Sequence, residues 1–388
     1  MSRLFVLLFA AFVDMMGFAM VFPLLPFYAT RLGADPQTIG ILIASFSIAQ
    51  VASSPIWGRF SDRFGRRPAL LVSLLGSAVA FLIFGFADAV WLLFASRLTQ
   101  GAAGGTTGVM QAYVSDTVPP ADRAKALGWL SAATNAGVMI GPAIGSLSWR
   151  FGPHAPGVVA ASLCFLNFLF AWKWLPESRT KAEPSSRRSV GKMVWDTARH
   201  PGGEASQLIW IYAVAMMAFS SVTGVLGLYL MKRFEMTEAN IGYVFVFLGG
   251  FSVLVRAGLL GRLITVLGEA RLMRVGAVLL AAGLFLYPIP TRFVTLIPVM
   301  ALVPLGTAFL FPATSGLLSQ RGDKAQLGQL MGVQQSFGGV ARIVGPIWAG
   351  TAFRYLGPGV PFVVAGALVS GVALMTTRVR TPRVAAKS

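Results

Sequence analysis

The chain has 388 residues, 55% of them hydrophobic and only 12% charged, with a formal net charge of +18 and a mean hydropathy of +0.71. A soluble globular chain carries about a quarter charged residues, so the composition excludes an ordinary soluble protein and describes a polytopic membrane protein. The positive charge suggests nucleic acid at first sight, but its placement argues otherwise.

Spanning the hydrocarbon core takes about 20 apolar residues in a helix. Twelve stretches qualify, at residues 4–25, 39–58, 69–87, 91–114, 126–149, 156–175, 207–230, 240–260, 273–290, 293–318, 326–350 and 359–377. The runs are long and lack the alternation of a barrel strand, which predicts an all-α fold of twelve transmembrane helices. Several contain Gly or Pro, as membrane helices do when neighbours satisfy the backbone.

The first run follows Arg3 and is interrupted by Asp14, with no small-residue cleavage site after it. It reads as the first membrane helix rather than a removed signal. Asp14 falls about 15 Å from the start of that helix at 1.5 Å per residue, near mid-membrane. A carboxylate there costs several kcal/mol unless it takes a proton or sits beside a cation. It is either a proton carrier or a structural carboxylate held by Arg97 or by backbone. Between the second and third runs, residues 58–68 pack five charges into a short gap: Arg59, Asp62, Arg63, Arg66 and Arg67. Basic loops stay on the cytoplasmic side, and Gly58 and Gly65 would allow a tight turn.

Threading the runs alternately from a cytoplasmic N-terminus leaves six Lys and Arg outside (Arg31, Arg150, Lys232, Arg233, Arg292, Arg354) and three within helices (Arg97, Arg256, Arg342). The other 23 of the 32 are cytoplasmic. This is the positive-inside pattern, with attraction to anionic lipid. It removes nucleic acid as a partner and leaves the bilayer. Both termini are expected in the cytoplasm.

Arg97 lies about 10 Å below the outer surface, within reach of Asp14. Such a pair either couples protonation to conformation or forms a bundle salt bridge that only fixes packing. Gly137, Gly141 and Gly145 form one small-residue face at i, i+4, i+8, which lets a neighbouring helix approach closely. Pro142 bends that helix. Residues 176–206 break the series with Glu177, Arg179, Lys181, Glu183, Arg187, Arg188, Lys192, Asp196, Arg199 and Glu204. They read as a cytoplasmic linker with a short surface helix near residues 190–198. Six-helix halves at 1–175 and 207–388 flank it. The halves echo each other: Gly58-Arg59-Phe60 recurs as Gly261-Arg262-Leu263, and Gly141-Pro142 as Gly345-Pro346, at offsets of 203 and 204 residues. Parallel repeats with a central site are one way transporters are built.

The segment 58–68 resembles the signature loop between the second and third helices of major facilitator superfamily transporters, with Phe60 where that family usually has leucine. Arg97-Leu98-Thr99-Gln100-Gly101 resembles the family's fourth-helix motif. The stretch from Gly137 to Gly145 resembles the fifth-helix motif of drug–proton antiporters. Asp14, Gly17, Pro23 and Pro26, then Ser115-Asp116-Thr117 and Leu127-Gly128-Trp129-Leu130, resemble tetracycline efflux antiporters. The second half departs from that group: Thr265 replaces the aspartate in its copy of the basic loop, and no acid lies inside its helices.

The resemblance implies a proton-coupled antiporter in a bacterial inner membrane, exporting small amphipathic or drug-like molecules by alternating access. It implies proton coupling by Asp14 and Arg97, and a glycine face that seals the halves beside its packing role. Gly58, Asp62, Gly65, Arg66 and Asp116 would form a gate. Asp62 would accept from the start of the eleventh helix near Leu327-Gly328, and Arg66 would pair with Asp116. The alternative is that the loop only orients the chain.

Polar cavity candidates are Gln50, Gln111, Asn135, Asn167, Gln334 and Gln335, each alternatively a helix-to-helix bond. Met216, Met217 and Phe219 could form an adaptable apolar wall. Arg342 and Arg256 add interior positive charge, which leaves anionic or neutral substrates open. Cys164 reads as an inert packing residue, and His154 and His200 fall in loops. No nucleotide-binding loop or metal cluster is visible, so neither cofactor nor metal is expected and the chain is not read as an enzyme. The expected partners are a small-molecule substrate, protons and lipid, with the protein a monomer. The alternative functions are a symporter or uniporter for a specific metabolite or organic anion and, from another class, a non-transporting receptor or assembly factor.

Overall fold

A computed structural model describes residues 3–178, 190–321, 324–377 and 379. The linker residues 179–189, including five of the charges named above, lie outside the described residues, as do both chain ends. The described residues form helices and turns, with no strand among them.

Chain order runs α1 (Arg3–Val21), α2 (Leu25–Arg31), α3 (Pro36–Phe64), α4 (Arg66–Gly85), α5 (Val90–Ala103), α6 (Thr106–Thr117), α7 (Arg123–Ser148) and α8 (Ala155–Trp174). It continues through α9 (Val190–Arg199), α10 (Glu204–Phe234), α11 (Glu238–Val255), α12 (Gly261–Leu267), α13 (Glu269–Leu286), α14 (Phe293–Ser319), α15 (Lys324–Tyr355) and α16 (Val360–Thr377). Joined where they run on, these make twelve membrane-length segments among the described residues. Eight are long and apolar enough to cross a membrane by length and composition alone.

Four differences from the expected runs have local causes. Pro23 and Pro26 divide the first segment, because proline supplies no backbone donor. The chain turns after Val21 and restarts at Leu25. The basic segment is not a loop: α3 continues through Phe64, so Gly58 is a helix-interior residue, and only Gly65 turns the chain, at φ +108. Helical backbone satisfies itself beyond the hydrocarbon as well as within it, so the charges mark the end of the apolar run and not of the helix. The fourth segment breaks at Gly104-Gly105 between α5 and α6. The eighth passes through a π-helical turn, Arg256–Leu260, directly into α12, so the second half's counterpart of the basic loop is also largely helical.

The chain divides into two compact units. The first is Met1–Pro184 with Leu230–Gly249, the second Ser185–Tyr229 with Gly250–Ser388. In the first, α1 packs along α7 and α8, and α4 packs on α5 and α8. Glycines make these approaches close. A Cβ on Gly101 would strike the Phe46 carbonyl of α3, and one on Gly157 would strike the Gly85 backbone of α4. A core of Leu7, Leu70, Leu74, Tyr113 and Leu130 lies between α1, α4, α6 and α7.

In the second unit, α13 packs on α14 and α16. Gly276 and Gly306 face each other's backbone across α13 and α14. The duplicated Gly-Pro pairs occupy matching positions. Gly141 of α7 abuts the Met16 carbonyl of α1, and Gly345 of α15 abuts the Met217 carbonyl of α10.

Candidate functional site

Asp14 is 6% exposed. Its carboxylate accepts one hydrogen bond, 3.1 Å from the Thr106 hydroxyl. Thr106 is the first residue of α6, immediately after the Gly104-Gly105 break. Trp57 packs at the break: Gly105 lies against its ring, which leaves no room for a Cβ, and its indole donates to the Ala102 carbonyl at 2.5 Å. A discontinuous helix thus brings a new helix N-terminus, the positive end of its dipole, to the buried carboxyl. Sequence reasoning missed Thr106. The signal that could have found it was the glycine pair just before it.

Arg97 is 1% exposed, and its Nε has no hydrogen-bond partner. Its guanidinium lies 5.7 Å from the Phe84 ring centroid and 3.5 Å from the Ser96 hydroxyl. Among the described residues no ion pair joins it to Asp14. The reason is axial: Thr106 stands nine positions beyond Arg97, or about 13 Å along a helix. Asp14 therefore sits level with the start of α6, not with Arg97.

The glycine face of α7 seats directly on the stretch of α1 that carries Asp14. Cβ atoms at Gly137, Gly141 and Gly145 would meet the carbonyls of Phe12, Met16 and Met20 in turn. The other side of α7 meets α11 within the same unit. Ser146 donates to the Glu238 carbonyl at 2.6 Å and accepts from the Gly242 amide at 2.9 Å, and Gly242 lies against the Pro142 carbonyl.

At the end of this unit that holds residues 58–68, Arg66 gathers three helices. Its Nε donates to Asp116 at 2.9 Å, and its Nη1 to Asp62 at 2.8 Å and to the buried Ser61 hydroxyl at 2.7 Å. Glu177 caps α4, accepting from the Arg66 and Arg67 amides at 2.8 and 3.1 Å. That carboxylate also sits where a Cβ on residue 65 would be, a second reason for glycine there. Glu177 had no local sequence signal, because the residues it caps are 111 and 110 positions away. At the opposite end, Arg31 pairs with Glu238 at 2.8 Å and lies 4.5 Å from the Trp149 ring centroid. This second cluster joins the ends of α2, α7 and α11. It was not legible either, because its three members are far apart in sequence.

The cavity candidates divide. Gln111 lines an open cavity of about 500 Å³ between α6 and α7, with Thr107, Ser115, Ser131 and Thr134. Asn135 is exposed and donates to the Ser131 carbonyl at 2.8 Å. Gln50 is engaged with the Gly104 carbonyl at 3.3 Å, supporting the α5–α6 break. Asn167 is buried and bonds the Ala10 carbonyl at 2.9 Å, tying α8 to α1. In the second unit, Gln334 is buried and accepts from Ser315 at 3.2 Å. Met216, Met217 and Phe219 are partly buried on α10, and Phe219 meets Phe311 edge-on at 6.1 Å. Arg342 is partly buried on α15, and Arg256 opens the π-helical turn.

Twelve helical segments with ionisable groups buried inside them define a polytopic membrane protein. The chain belongs to the Major Facilitator Superfamily, whose sequence model matches residues 7–346 and, overlapping, 208–388. It is a transporter and not an enzyme. It is 30% identical over 341 residues to the class D tetracycline resistance protein of Salmonella ordonez, covering 86% of this chain and 85% of that one. It is 29% identical over 369 residues to multidrug resistance protein 2 of Bacillus subtilis (strain 168), covering 93% and 91%. Among solved structures, the human organic anion transporter MFSD10 (TETRAN) superposes with a TM-score of 0.71 at 22% identity, covering 96% of this chain and 98% of that one. The nucleoside transporter NupG superposes with a TM-score of 0.77 at 16% identity, covering 97% and 98%. At these identities the two structures establish the fold alone.

Proposed function

We propose that the protein is a proton-coupled antiporter that exports small amphipathic, drug-like molecules by alternating access. The observation that carries the reading is Asp14, buried within a membrane-length helical segment with one hydroxyl donor and, among the described residues, no paired cation. A carboxyl locked in an ion pair holds its charge. One held only by a hydroxyl can gain or lose a proton as its surroundings open to water, because its desolvation changes and nothing else must break. The broken fourth helix gives the deprotonated form a helix N-terminus to face. Arg97 acts from a distance on the same segment, as a fixed positive charge that stays ionised.

The glycine face of α7 holds the Asp14 stretch of α1 in register, so that movement of α7 moves the carboxyl. The Arg66 cluster is the gate at the cytoplasmic end. It binds α3, α4 and α6 into one block, with Gly58 and Gly65 on either side of Ser61 and Asp62. The resistance proteins to which the chain is similar support drug-like cargo. The two six-helix halves, the cytoplasmic termini and the monomeric state belong to this proposal.

The test is uptake into everted membrane vesicles, where an exporter carries its cargo inward. A panel of lipophilic drugs, tetracycline included, is followed with and without a proton gradient. The proposal expects at least one compound whose accumulation collapses with a protonophore and is absent in Asp14→Asn. Gradient-independent flux of every transported compound would refute it.

A further inference from the structure

The second unit carries a half-buried positive charge with no matching acid among its described residues, and what surrounds it defines a ligand. Arg342 lies roughly 20 Å or more from either end of α15. Among the described residues no carboxylate pairs with it. The described acids of this unit, Asp196, Glu204 and Glu269, lie on α9 or in the first turns of α10 and α13.

Gly338, one turn before Arg342, lets the Tyr212 ring come close beside it. A Cβ there would lie 2.9 Å from the Tyr212 ring and 3.6 Å from the Arg342 guanidinium. Ring and cation therefore flank one glycine. Tyr212 comes from α10 and has the exposed Gln335 side chain beside it. Its ring meets Phe311 of α14 edge-on at 5.3 Å, and Phe311 in turn meets Phe219 at 6.1 Å. Tyr212, Met216 and Phe219 recur at i, i+4 and i+7, one stripe of α10. The result is a guanidinium and an amide beside an aromatic wall, built from three helices.

We infer that Arg342, Tyr212 and Gln335 form the head of a half-site for amphipathic organic anions, whose apolar body lies on Phe219 and Phe311. This deepens the efflux reading and rests on it for the direction of transport. The chemistry is specific. A guanidinium out of bulk water costs free energy until a carboxylate or sulfonate offers two acceptor oxygens in its plane. A cationic ligand meets like charge at the same place, and a neutral one leaves the guanidinium uncompensated. The aromatic wall selects for flat apolar bodies, which small inorganic anions lack.

The test uses three probes on one ring: 2-naphthoate, its methyl ester and 2-naphthylmethylammonium. Binding is measured by equilibrium dialysis on the full-length protein in lipid nanodiscs, with empty nanodiscs subtracted. The wild type should bind the carboxylate about ten-fold more tightly than the ammonium. Arg342→Gln should weaken the carboxylate by roughly ten-fold and leave the ester within about two-fold. Arg342→Lys keeps the charge but not the fork, so it should retain part of the preference and also serve if the glutamine variant folds poorly. Equal binding of anion and cation by the wild type, or an unchanged carboxylate-to-ester ratio in both variants, overturns the assignment.

Export of the same probes by everted vesicles separates the two ideas. Gradient-driven export of the ammonium alone keeps the antiporter reading and overturns the anion site. An Arg342-dependent anion preference without gradient-driven export does the reverse.

Discussion

Replacing Gly141 by alanine tests whether the glycine face of α7 positions Asp14 or merely fills space. The new methyl would stand 2.5 Å from the Met16 carbonyl oxygen, 2.9 Å from the Ala19 Cβ and 3.0 Å from the Met20 nitrogen. Two of these are backbone atoms of α1 and cannot rotate away, so the helices must part by about 0.5 Å to bring the shortest contact near 3.0 Å. Overpacking of this kind costs about 1–3 kcal/mol. Alanine in a helix recovers roughly 0.5–1 kcal/mol over glycine, which would mask part of the loss. Gly128→Ala on the same helix, where a Cβ meets nothing within 4 Å, gains the same propensity without the clash and is the reference. Relative to it, Gly141→Ala should unfold a few degrees lower in matched thermal scans of detergent-purified protein, read as rates because membrane proteins rarely refold on cooling. The shift also moves Met16, two residues from Asp14, so proton-driven efflux should fall by about an order of magnitude if the Thr106 bond is part of the mechanism. Equal unfolding and equal transport for the two alanine variants would refute the argument.

Asp14→Asn should abolish proton-driven transport while leaving the protein folded, because the volume is kept and the titrating group lost; efflux at near the wild-type rate in vesicles would remove Asp14 as the carrier. Thr106→Val should alter the pH at which transport is half-maximal, whereas Thr106→Ser, which keeps the hydroxyl, should not; identical pH profiles for all three proteins would show that the bond is incidental. Arg66→Lys should cost about 1–3 kcal/mol, since one ammonium cannot reach Asp62, Ser61 and Asp116 with the same fork geometry, and the loss should appear as faster thermal inactivation. At the other end, Arg31→Gln and Glu238→Gln should each lower stability by less than about 1 kcal/mol, Arg31 being 54% exposed. Their double-mutant cycle should show coupling, and strictly additive losses would mean that the pair does not help to join these helix ends.

Much of the fold was legible because a membrane helix announces itself by length and apolarity, and nothing else in the sequence competes with that signal. The helix ends were less legible. Helices continue past the hydrocarbon into charged residues, as α3 does through Arg59 and Arg63, and hydropathy has no means of seeing this. The breaks were marked by residue chemistry, prolines at 23 and 26 and glycines at 104 and 105, but a span-length window averages over them. Within the site, the buried acid, the glycine face and the meeting of Arg66 with Asp116 could be anticipated from motif and helix register. The partners of these groups could not. Thr106 and Glu177 are ordinary residues until distant segments are brought beside them. Arg97 shows the complementary error: register along a helix was read as proximity, although the carboxyl lies level with a different turn.

The duplicated unit shows which features packing fixes and which chemistry fixes. Gly141-Pro142 and Gly345-Pro346 do the same work. Each seats its helix on a neighbouring backbone, α7 on α1 and α15 on α10, where any Cβ would collide. The basic end is copied in part: Arg67 bonds the Trp172 carbonyl at the end of α8, and Arg274 bonds the Thr376 carbonyl at the end of α16 at 3.1 Å. The ionisable groups inside the helices are not copied. The first unit holds Asp14 and Arg97, while the second holds Arg256 and Arg342 and, among its described residues, no acid within a span. A pair of sequences that began alike would keep the glycines because the approach distance leaves no alternative. They would diverge in charge wherever the two halves handle different ions. Charge divergence on a common packing frame is compatible with antiport, in which the proton and the cargo can be held by different groups. Under the proposed antiport, the acid would serve the proton and the arginine of α15 the cargo.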